Sequence, residues 1–504
     1  MKKLKGEGAL GTPFRIIEII LLLLGLYVIF MALFSRNIAD YDLWGYLSFG
    51  SIFWDEGYFP FRDVFSYTPV KPLWVYHEWL TGVSFYFIYR HAGPAGLQLL
   101  RYLVVILTIC LVYQTAIRKG AGILPALFAL VIALPLISFG YVPVRAQIFT
   151  YLFFALTVYV LEYAQKKERW SLLWWLPPLQ VLWCNLHGGF VAGLGLIFLY
   201  MLGNVFSRRK YWPLATILFP ATLATLINPY GFKYWTYMFQ AITMPRPEIG
   251  EWLSVPAALQ LHVQEVPVLI FLTLALIHLL LLLVQRQRNP TDLLVAAATI
   301  YLGFSHIRHS ILFGLILGSQ MPFLLSGYWQ ALQKKRVWMI SQPQLPRLLL
   351  LIFIFSFCLY LNPSLLPPRG PSFALAAPIP DYPQGAVAWI KNNDFKGNIL
   401  PHFDWGEFMI WTCYPACRVA MDGRYETVYQ EHVAREYFDF LLGRPNWRVF
   451  LEKYPHDLVL IKPLTRTHLL MLREPSWRTV YGDRSCVIFV KNEQGAHSSQ
   501  TKSR

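Results

Sequence analysis

Six carboxylates fall in the polar loop that follows the first apolar stretch of this chain. They are Asp40, Asp42, Asp55, Glu56, Asp63 and Glu78. The chain has few charged residues otherwise (14%), and acids are costly to keep close to lipid, which favours a functional role. Asp40 and Asp42 would share a face of an extended segment and diverge on a helix. We predict that they act as a general base or as ligands of a divalent cation, with helix capping before Leu43 as the structural alternative.

The same loop ends on a second pair of polar residues, His77 and Glu78. An amphipathic stretch, Glu78–Tyr89, follows them, and an acid at the start of a helix is favoured by the helix dipole. That is the structural explanation. The functional explanation is that a histidine and a carboxylate return to the membrane face that carries Asp40 and Asp42. We predict all four residues as catalytic.

Most of the unusual polar residues of the later loops would lie on that same face. They are Arg145, His187, Glu248, Glu251, His306, Arg308 and His309. A phosphate leaving group needs cationic partners, and arginine meets phosphate with two parallel hydrogen bonds. Each residue alone is more often an interfacial anchor. We predict that the set binds substrate because its members fall on one side and complement the acids.

The elements that position these residues are apolar and long. Of the 504 residues, 56% are hydrophobic, and the mean hydropathy is +0.42, as in polytopic α-helical membrane proteins. We predict about eleven spans. They lie near 14–34, 97–117, 122–140, 147–165, 172–186, 187–206, 212–228, 266–284, 291–304, 309–327 and 347–363. The first is too long for a signal-peptide core and has no small-residue cleavage site, so we expect it to be retained.

The distribution of basic residues predicts the orientation. Residues 1–364 hold 27 Lys and Arg against 14 acids, and the compact basic clusters fall in alternate short loops, as the positive-inside rule requires. Lys2, Lys3 and Lys5 therefore place the amino terminus in the cytoplasm and the carboxyl-terminal residues outside. The net charge of +16 is then an orientation signal, which argues against a nucleic-acid partner.

The last part of the chain has a different composition. We divide the sequence into a transmembrane domain (1–363, with its outer loop 37–80), a Pro-rich linker (364–383), an extracytoplasmic α/β domain (384–492) and a polar, disordered tail (493–504). Helices are predicted over 384–392, 428–442 and 446–453, and strands over 398–403, 418–421, 457–461 and 485–490.

Two features of this domain are candidates for function. Asp404 and Trp405 are candidate acceptor-binding residues, with loop chemistry and capping as the alternative. Cys413 and Cys417 are close enough in sequence for a disulfide, and free buried thiols are the alternative. No Gly-rich phosphate loop is present, which argues against a nucleotide site in this domain.

Four motifs of the first loop carry a family resemblance. They are Asp40-x-Asp42-Leu-Trp, Gly57-Tyr-Phe-Pro60, Asp63-Val-Phe-Ser66-Tyr-Thr and Trp74-x-x-His-Glu-Trp79. With the arrangement of spans, they resemble the GT-C superfamily of integral-membrane glycosyltransferases, which includes protein O-mannosyltransferases, aminoarabinose transferases and the oligosaccharyltransferase catalytic subunit. Phe403-Asp-Trp-Gly-Glu407 is distantly similar to the Trp-Trp-Asp-Tyr-Gly acceptor motif of oligosaccharyltransferases.

The resemblance implies an enzyme of the bacterial cytoplasmic membrane. Such an enzyme would transfer a hexosyl or pentosyl group from a polyprenyl-phosphate donor to an extracytoplasmic lipid, glycan or protein. It implies either no metal or Mg²⁺ or Mn²⁺ held by Asp40 and Asp42. Two other functions stay open from the residues: a transporter or flippase of a lipid-linked glycan, and a non-catalytic assembly protein. The sugar, carrier, acceptor and oligomeric state are not fixed by the sequence.

Overall fold

The computed structural model describes residues 37–141, 143–285, 288–334 and 372–492. The predicted spans 14–34 and 347–363, the tail 493–504 and the first eight residues of the predicted linker (364–371) lie outside these ranges, as do Lys2, Lys3 and Lys5. The described residues form two compact units. We call them the helical unit, built from the described residues of Gln98–Asn228 and Pro245–Phe373, and the loop–sheet unit, built from the described residues of Asn37–Leu97, Pro229–Met244 and Ala374–Arg504.

Twelve α-helices lie in the described residues between 37 and 334, and most of them coincide with predicted apolar stretches, whereas the helices over 232–243 and 255–260 were not predicted. The twelve are α1 (Leu43–Ser51), α2 (Trp79–Lys119), α3 (Ile123–Tyr141), α4 (Gln147–Lys167), α5 (Leu176–Leu186), α6 (Val191–Phe206), α7 (Trp212–Ala224), α8 (Phe232–Thr243), α9 (Val255–Gln260), α10 (Glu265–Val284), α11 (Pro290–Ser305) and α12 (Ser310–Lys334). Helix α2 joins the predicted interfacial helix to the next span across a kink at Gly93, where φ is 59°.

Five of the described helical segments are long and apolar enough to cross a membrane. They are Trp79–Lys119, Gln147–Lys167, Gly188–Phe206, Glu265–Val284 and Ile307–Ser326. Three shorter apolar helices, Pro125–Tyr141, Trp212–Ala224 and Pro290–Ser305, coincide with further predicted spans. The predicted span 172–186 is instead divided between a 3₁₀ turn, Trp170–Trp175, and the eleven-residue α5. The total of about eleven stays a prediction.

Buried charges connect the helix ends of the helical unit. Lys119, at the end of α2, donates to Glu162 of α4 and to Asp292 of α11, both at 2.7 Å. Tyr200 donates to the same Glu162 oxygen, and Gln320 of α12 lies 3.4 Å from Asp292 Oδ1. Partners that close are needed because an unpaired charge in such an environment is expensive.

The loop–sheet unit contains a five-stranded mixed sheet with the strand order β2-β1-β3-β5-β4. Its strands are β1 (Gly397–Pro401), β2 (Cys417–Val419), β3 (Leu458–Ile461), β4 (Trp477–Gly482) and β5 (Val487–Lys491). Strand β1 runs parallel to β2 and β3, whereas β5 is antiparallel to β3 and β4. Four of these strands lie within two residues of predicted ones at their starts, and β4 was not predicted, because it is largely exposed and lacks an apolar run.

Helices of the carboxyl-terminal part lie between these strands. They are α13 (Gln384–Asn392), α14 (Gly406–Cys413), α15 (Tyr425–Val428), α16 (Glu431–Leu441), α17 (Trp447–Lys453) and α18 (Arg466–Met471). Helix α13 has the predicted bounds, and α14, α15 and α18 were not predicted. Cys413 and Cys417 are buried and unbridged, which is the free-thiol alternative.

The first loop adds to the free edge of this sheet. Ser66 forms a parallel bridge with Val419 of β2, where Val419 N–H donates to Phe65 O at 3.0 Å and Tyr67 N–H donates to Val419 O at 3.3 Å. An unpaired strand edge presents free N–H and C=O groups, and the loop covers them. Residues 37–80 and the carboxyl-terminal sheet are therefore parts of one unit, a different division from the one drawn on composition.

Candidate active site

Asp42 is placed by the first turn of α1. It occupies the N-cap position of this helix but makes no side-chain capping hydrogen bond. Asp40 Oδ1 instead accepts the backbone N–H of Asp42 at 3.1 Å. The capping explanation therefore does not account for Asp42, while Asp40 stabilises the turn that leads into the helix.

Glu407 of α14 lies close to Asp42, a proximity that the sequence did not predict. Its Oε2 accepts the N–H of Gly45 at 3.0 Å. A Cβ on Gly423 would lie 2.7 Å from Glu407 Oε1 and 3.3 Å from Asp42 Oδ1. Because Gly423 lacks that atom, both carboxyl groups approach the same backbone position. Burial, followed by the charges of Asp42 and Asp422, raises the pKa of Glu407 well above its usual range, against the opposing effect of Arg424.

A buried ion cluster supports this pair from behind. Arg424 donates to both oxygens of Asp422, with Nε at 2.8 Å from Oδ1 and Nη2 at 2.7 Å from Oδ2, and to Asp63 Oδ1 at 2.7 Å. Tyr429 Oη also donates to Asp422 Oδ2, at 2.7 Å. Burial disfavours the Arg424 guanidinium, but Asp422 and Asp63 raise its pKa well above the usual range. The Asp422-Gly-Arg424 turn is thus fixed to the first loop rather than exposed.

Tyr76 links Asp42 with the other predicted acid, Glu78. Its ring stacks on Tyr46 of α1, and only 3% of the residue is exposed. Burial raises the pKa of this phenol well above 10, and the charges of Glu78, Glu407 and Asp42 raise it further. The charges of two predicted acids, Asp42 and Glu78, and of Glu407 therefore act on one buried tyrosine.

His77 belongs to a short polar chain in the same unit. Its Nε2 lies 3.7 Å from Glu78 Oε1, and its Nδ1 lies 3.2 Å from Tyr237 Oη. Tyr237 Oη donates to Glu426 Oε1 at 3.3 Å, so it accepts from His77. This arrangement orients the imidazole between Glu78 and Tyr237.

Of the acceptor candidates, Asp404 is accessible and Trp405 is not. Asp404 is part-exposed and accepts from Lys462 Nζ at 2.6 Å. Trp405 is 0% exposed, and its Nε1–H donates to Asp381 O at 2.8 Å. A fully buried indole has no free ring face for a substrate, so the structure does not support the predicted binding role of Trp405.

Burial, then the charges of Asp404, Asp381 and Asp40, raises the pKa of Tyr41 to about 12.

Two of the predicted cations, Arg145 and Arg308, converge on Glu251 in the helical unit. Arg145 Nη1 donates to Glu251 Oε2 at 3.1 Å, and Arg308 Nη1 donates to Oε1 at 2.8 Å. Burial would raise the pKa of Glu251, but the two guanidinium groups lower it to about 2. The guanidinium carbon of Arg308 lies over the Trp252 ring, 4.6 Å from the ring centroid.

The histidines of this group have mainly local partners. His306 Nδ1–H donates to Trp252 O at 2.8 Å, and His309 packs edge-on against the Trp252 ring. His187 Nδ1 accepts from Gly189 N–H at 2.9 Å. Glu248 lies in the loop before the Glu251 turn. His306 and His309 thus surround Trp252, while His187 shapes the turn between α5 and α6.

The side chains of the described residues do not assemble a complete metal site. No group of three or more His, Cys, Asp or Glu residues with suitable spacing occurs in 37–141, 143–285, 288–334 or 372–492. Asp40 Oδ1 is also engaged by the Asp42 N–H. The residues present therefore do not fit a metal held by protein ligands alone, and the choice between a metal-free reaction and Mg²⁺ or Mn²⁺ stays as the sequence left it.

Solved structures of two membrane enzymes share this architecture. ArnT from Cupriavidus metallidurans bound to undecaprenyl phosphate aligns with a TM-score of 0.54 and 13% identity over 94% of this chain and 98% of that one. The apo oligosaccharyltransferase of Archaeoglobus fulgidus aligns with a TM-score of 0.56 and 10% identity over 95% and 74%. Both are GT-C glycosyltransferases. The chain has the GT-C fold.

Recognition of a GT-C fold in the sequence is thereby confirmed, and the chain is an integral membrane protein. No protein-family model matches it. No curated protein matches it in sequence. Glu407, Asp422 and Arg424 lie next to predicted site residues or the first loop and were not assigned from the sequence, although two short motifs, Phe403–Glu407 and Met421–Arg424, contain them. An acid directly followed or preceded by glycines in an apolar segment was the available signal.

Proposed function

We propose that this chain is a membrane glycosyltransferase that moves a sugar from a polyprenyl-phosphate-linked donor to an acceptor outside the cytoplasm. The observation that carries the proposal is the Asp42–Glu407 pair, built around Gly45 and Gly423 at the start of α1. Asp42, rather than Asp40, is assigned as the base because the Asp40 carboxylate already accepts the Asp42 N–H.

The reaction would exchange one bond at the anomeric carbon of the sugar for another. Asp42 accepts the proton of the acceptor hydroxyl while the acceptor oxygen bonds to the anomeric carbon. The bond between that carbon and the phosphate oxygen breaks at the same time. Glu78 and His77 would help to orient this base.

Cationic side chains would stabilise the phosphate leaving group. Arg145 and Arg308 are the best supported, because Glu251 holds their guanidinium groups together. His187 is a weaker assignment, since its Nδ1 accepts from Gly189. Undecaprenyl phosphate, the lipid bound in the ArnT structure, supports a polyprenyl phosphate as the carrier and the bacterial inner membrane as the location.

Substitution of Asp42 tests the assignment directly. Asp42→Asn preserves volume but removes the base, so transfer of labelled sugar from polyprenyl-phosphate donors in membranes should fall by about 100-fold or more. Asp55→Asn is the matched control, since Asp55 belongs to the same loop but pairs with Arg90 at the surface. Full transfer by the Asp42 variant would refute the base assignment.

Two further measurements, made beside the transfer assay, separate the other two functions. Lipid-linked glycan translocation without transfer would indicate a transporter, and an envelope defect caused only by removal of the carboxyl-terminal residues would indicate an assembly protein. A transporter would favour charges near the middle of spans. The buried Lys119, Glu162 and Asp292 lie instead near helix ends, which favours the transferase.

A further inference from the structure

Glu251 bridges two arginines that would otherwise repel each other. Its Oε2 accepts from Arg145 Nη1 at 3.1 Å, and its Oε1 accepts from Arg308 Nη1 at 2.8 Å and lies 3.5 Å from Arg145 Nη2. The side chains of Glu251, Arg145 and Arg308 are 30%, 18% and 16% exposed, respectively. The trio carries one negative and two positive formal charges, so it still attracts an anion. Its side chains are partly accessible to solvent, so an anion could reach them.

The backbone beneath Glu251 is fixed to the turn that carries Arg308. His306 Nδ1–H donates to Trp252 O at 2.8 Å, and Ile307 N–H donates to Leu253 O at 3.1 Å. The Trp252 ring adds a cation–π contact with Arg308, 4.6 Å from the guanidinium carbon to the ring centroid. A carboxylate on such a base is a fixed part of the site rather than a mobile plug that an incoming anion would displace.

We propose that Glu251 is a positioning residue that aligns Arg145 and Arg308 for one phosphate group of the lipid carrier. This inference rests on the proposed function. Each guanidinium has five N–H donors in a planar fork. Glu251 accepts from both terminal nitrogens of Arg145 and from Nη1 of Arg308, and so restricts the directions in which the remaining donors point. Without it, mutual repulsion would separate the two cations and a phosphate would have to draw them together on binding.

Binding of undecaprenyl phosphate to the purified full chain measures this role apart from sugar transfer. Undecaprenol, which lacks the phosphate, is the reference ligand. We expect Glu251→Gln to weaken undecaprenyl phosphate binding by about tenfold or more and leave undecaprenol binding unchanged, a change equivalent to about 1.4 kcal/mol. In transfer assays the same variant should raise the donor KM more than it lowers kcat.

Glu265→Gln is the matched control, because Glu265 is an exposed acid of the same unit that pairs with His262, and it should bind like wild type. Glu251→Asp keeps the carboxylate on a shorter arm, so it should restore part of the binding lost in Glu251→Gln, and it carries the test if the Gln variant does not fold. In an Arg145→Gln background, Glu251→Gln should have a smaller effect, because its partner is already absent.

The outcomes separate the inference from the function it rests on. Wild-type protein that does not prefer undecaprenyl phosphate over undecaprenol would contradict the proposed carrier itself. Wild-type preference that is kept or increased in Glu251→Gln would overturn the positioning role alone and would indicate a carboxylate that competes with phosphate. An additive effect of the Arg145 and Glu251 substitutions would also overturn it.

Discussion

At the scale of single residues, burial determines which groups stay uncharged. His456 is 0% exposed; its Nε2–H donates to Phe450 O at 2.8 Å, and its Nδ1 pairs with the Tyr67 hydroxyl. Burial lowers the pKa of His456 to about 4, with Lys491 lowering it further and Asp457 opposing. The neutral imidazole therefore belongs to the folded state, and protonation favours unfolding.

The pH dependence of stability follows from this shift. Because the folded-state pKa lies below the unfolded value of 6.5, the stabilisation is complete above pH 6.5 and is lost as the pH falls towards 4. By pH 5 this one group should cost about 2 kcal/mol of unfolding free energy. Thermal unfolding in detergent between pH 5 and 7.5 measures it.

Two histidine variants isolate that contribution. His456→Gln should be less stable than wild type at pH 7.5 but lose less stability on acidification. His432→Gln changes an exposed histidine and should keep the wild-type pH dependence. His402, whose pKa burial also lowers to about 4, supplies the residual sensitivity. An unchanged acid response in His456→Gln would contradict the assignment.

At the scale of elements, glycines set how closely α1 approaches α2. A Cβ on Gly50 would lie 2.3 Å from Tyr86 Cβ and 2.4 Å from Gly82 O, and a Cβ on Gly82 would lie 3.0 Å from Tyr46 O. The obstacle at Gly50 includes backbone, which cannot rotate away as a side-chain tip can. The position of α1, and with it Asp42, depends on this contact.

Gly50→Ala should push α1 away from α2 and lower the unfolding free energy by about 1–3 kcal/mol, as overpacking does. Transfer activity should fall as well, because Asp42 moves with the helix. Gly195→Ala is the control: it lies within α6, nothing lies within 4 Å of its Cβ position, and alanine favours helix. Equal stability of the two variants would show that the helices can separate freely.

At the scale of the whole molecule, ionic contacts join segments that are remote in sequence. Arg424 and Asp63 are 361 residues apart and meet at 2.7 Å, with side chains only 4% and 1% exposed. They fasten the first loop to the edge of the sheet formed by β2, within the loop–sheet unit. This fixes the Asp422-Gly-Arg424 turn, whose Gly423 backs both Asp42 and Glu407.

Asp63→Ala should therefore destabilise the protein strongly. Removal of one partner leaves a buried guanidinium with less compensation, and such changes cost about 3–5 kcal/mol. Asp55→Ala removes an exposed acid of the same loop and should cost less than about 1 kcal/mol. Thermal unfolding and protease cleavage between residues 55 and 75 report the two effects; a small loss for Asp63→Ala would show that Asp422 alone sustains Arg424.

The sequence by itself determined the class of the molecule and much of its local structure. Apolar runs located the helices because burial in lipid requires long uninterrupted segments, and the first-loop motifs indicated the GT-C fold. Alternation of helix and strand patterns located α13 and most strands of the sheet. These signals are local, so they survive without knowledge of how the chain crosses itself.

Only the tertiary structure decided which acids lie together. No local pattern placed Glu407 beside Asp42 or Arg424 beside Asp63, and Trp405 was predicted to bind acceptor although folding buries it. Asp40-Tyr-Asp42 also could not be resolved locally, since capping and catalysis use the same residue type at the same helix position. Contacts between positions more than 300 residues apart depend on packing that no local pattern encodes, and they set the burial and charge around Asp42.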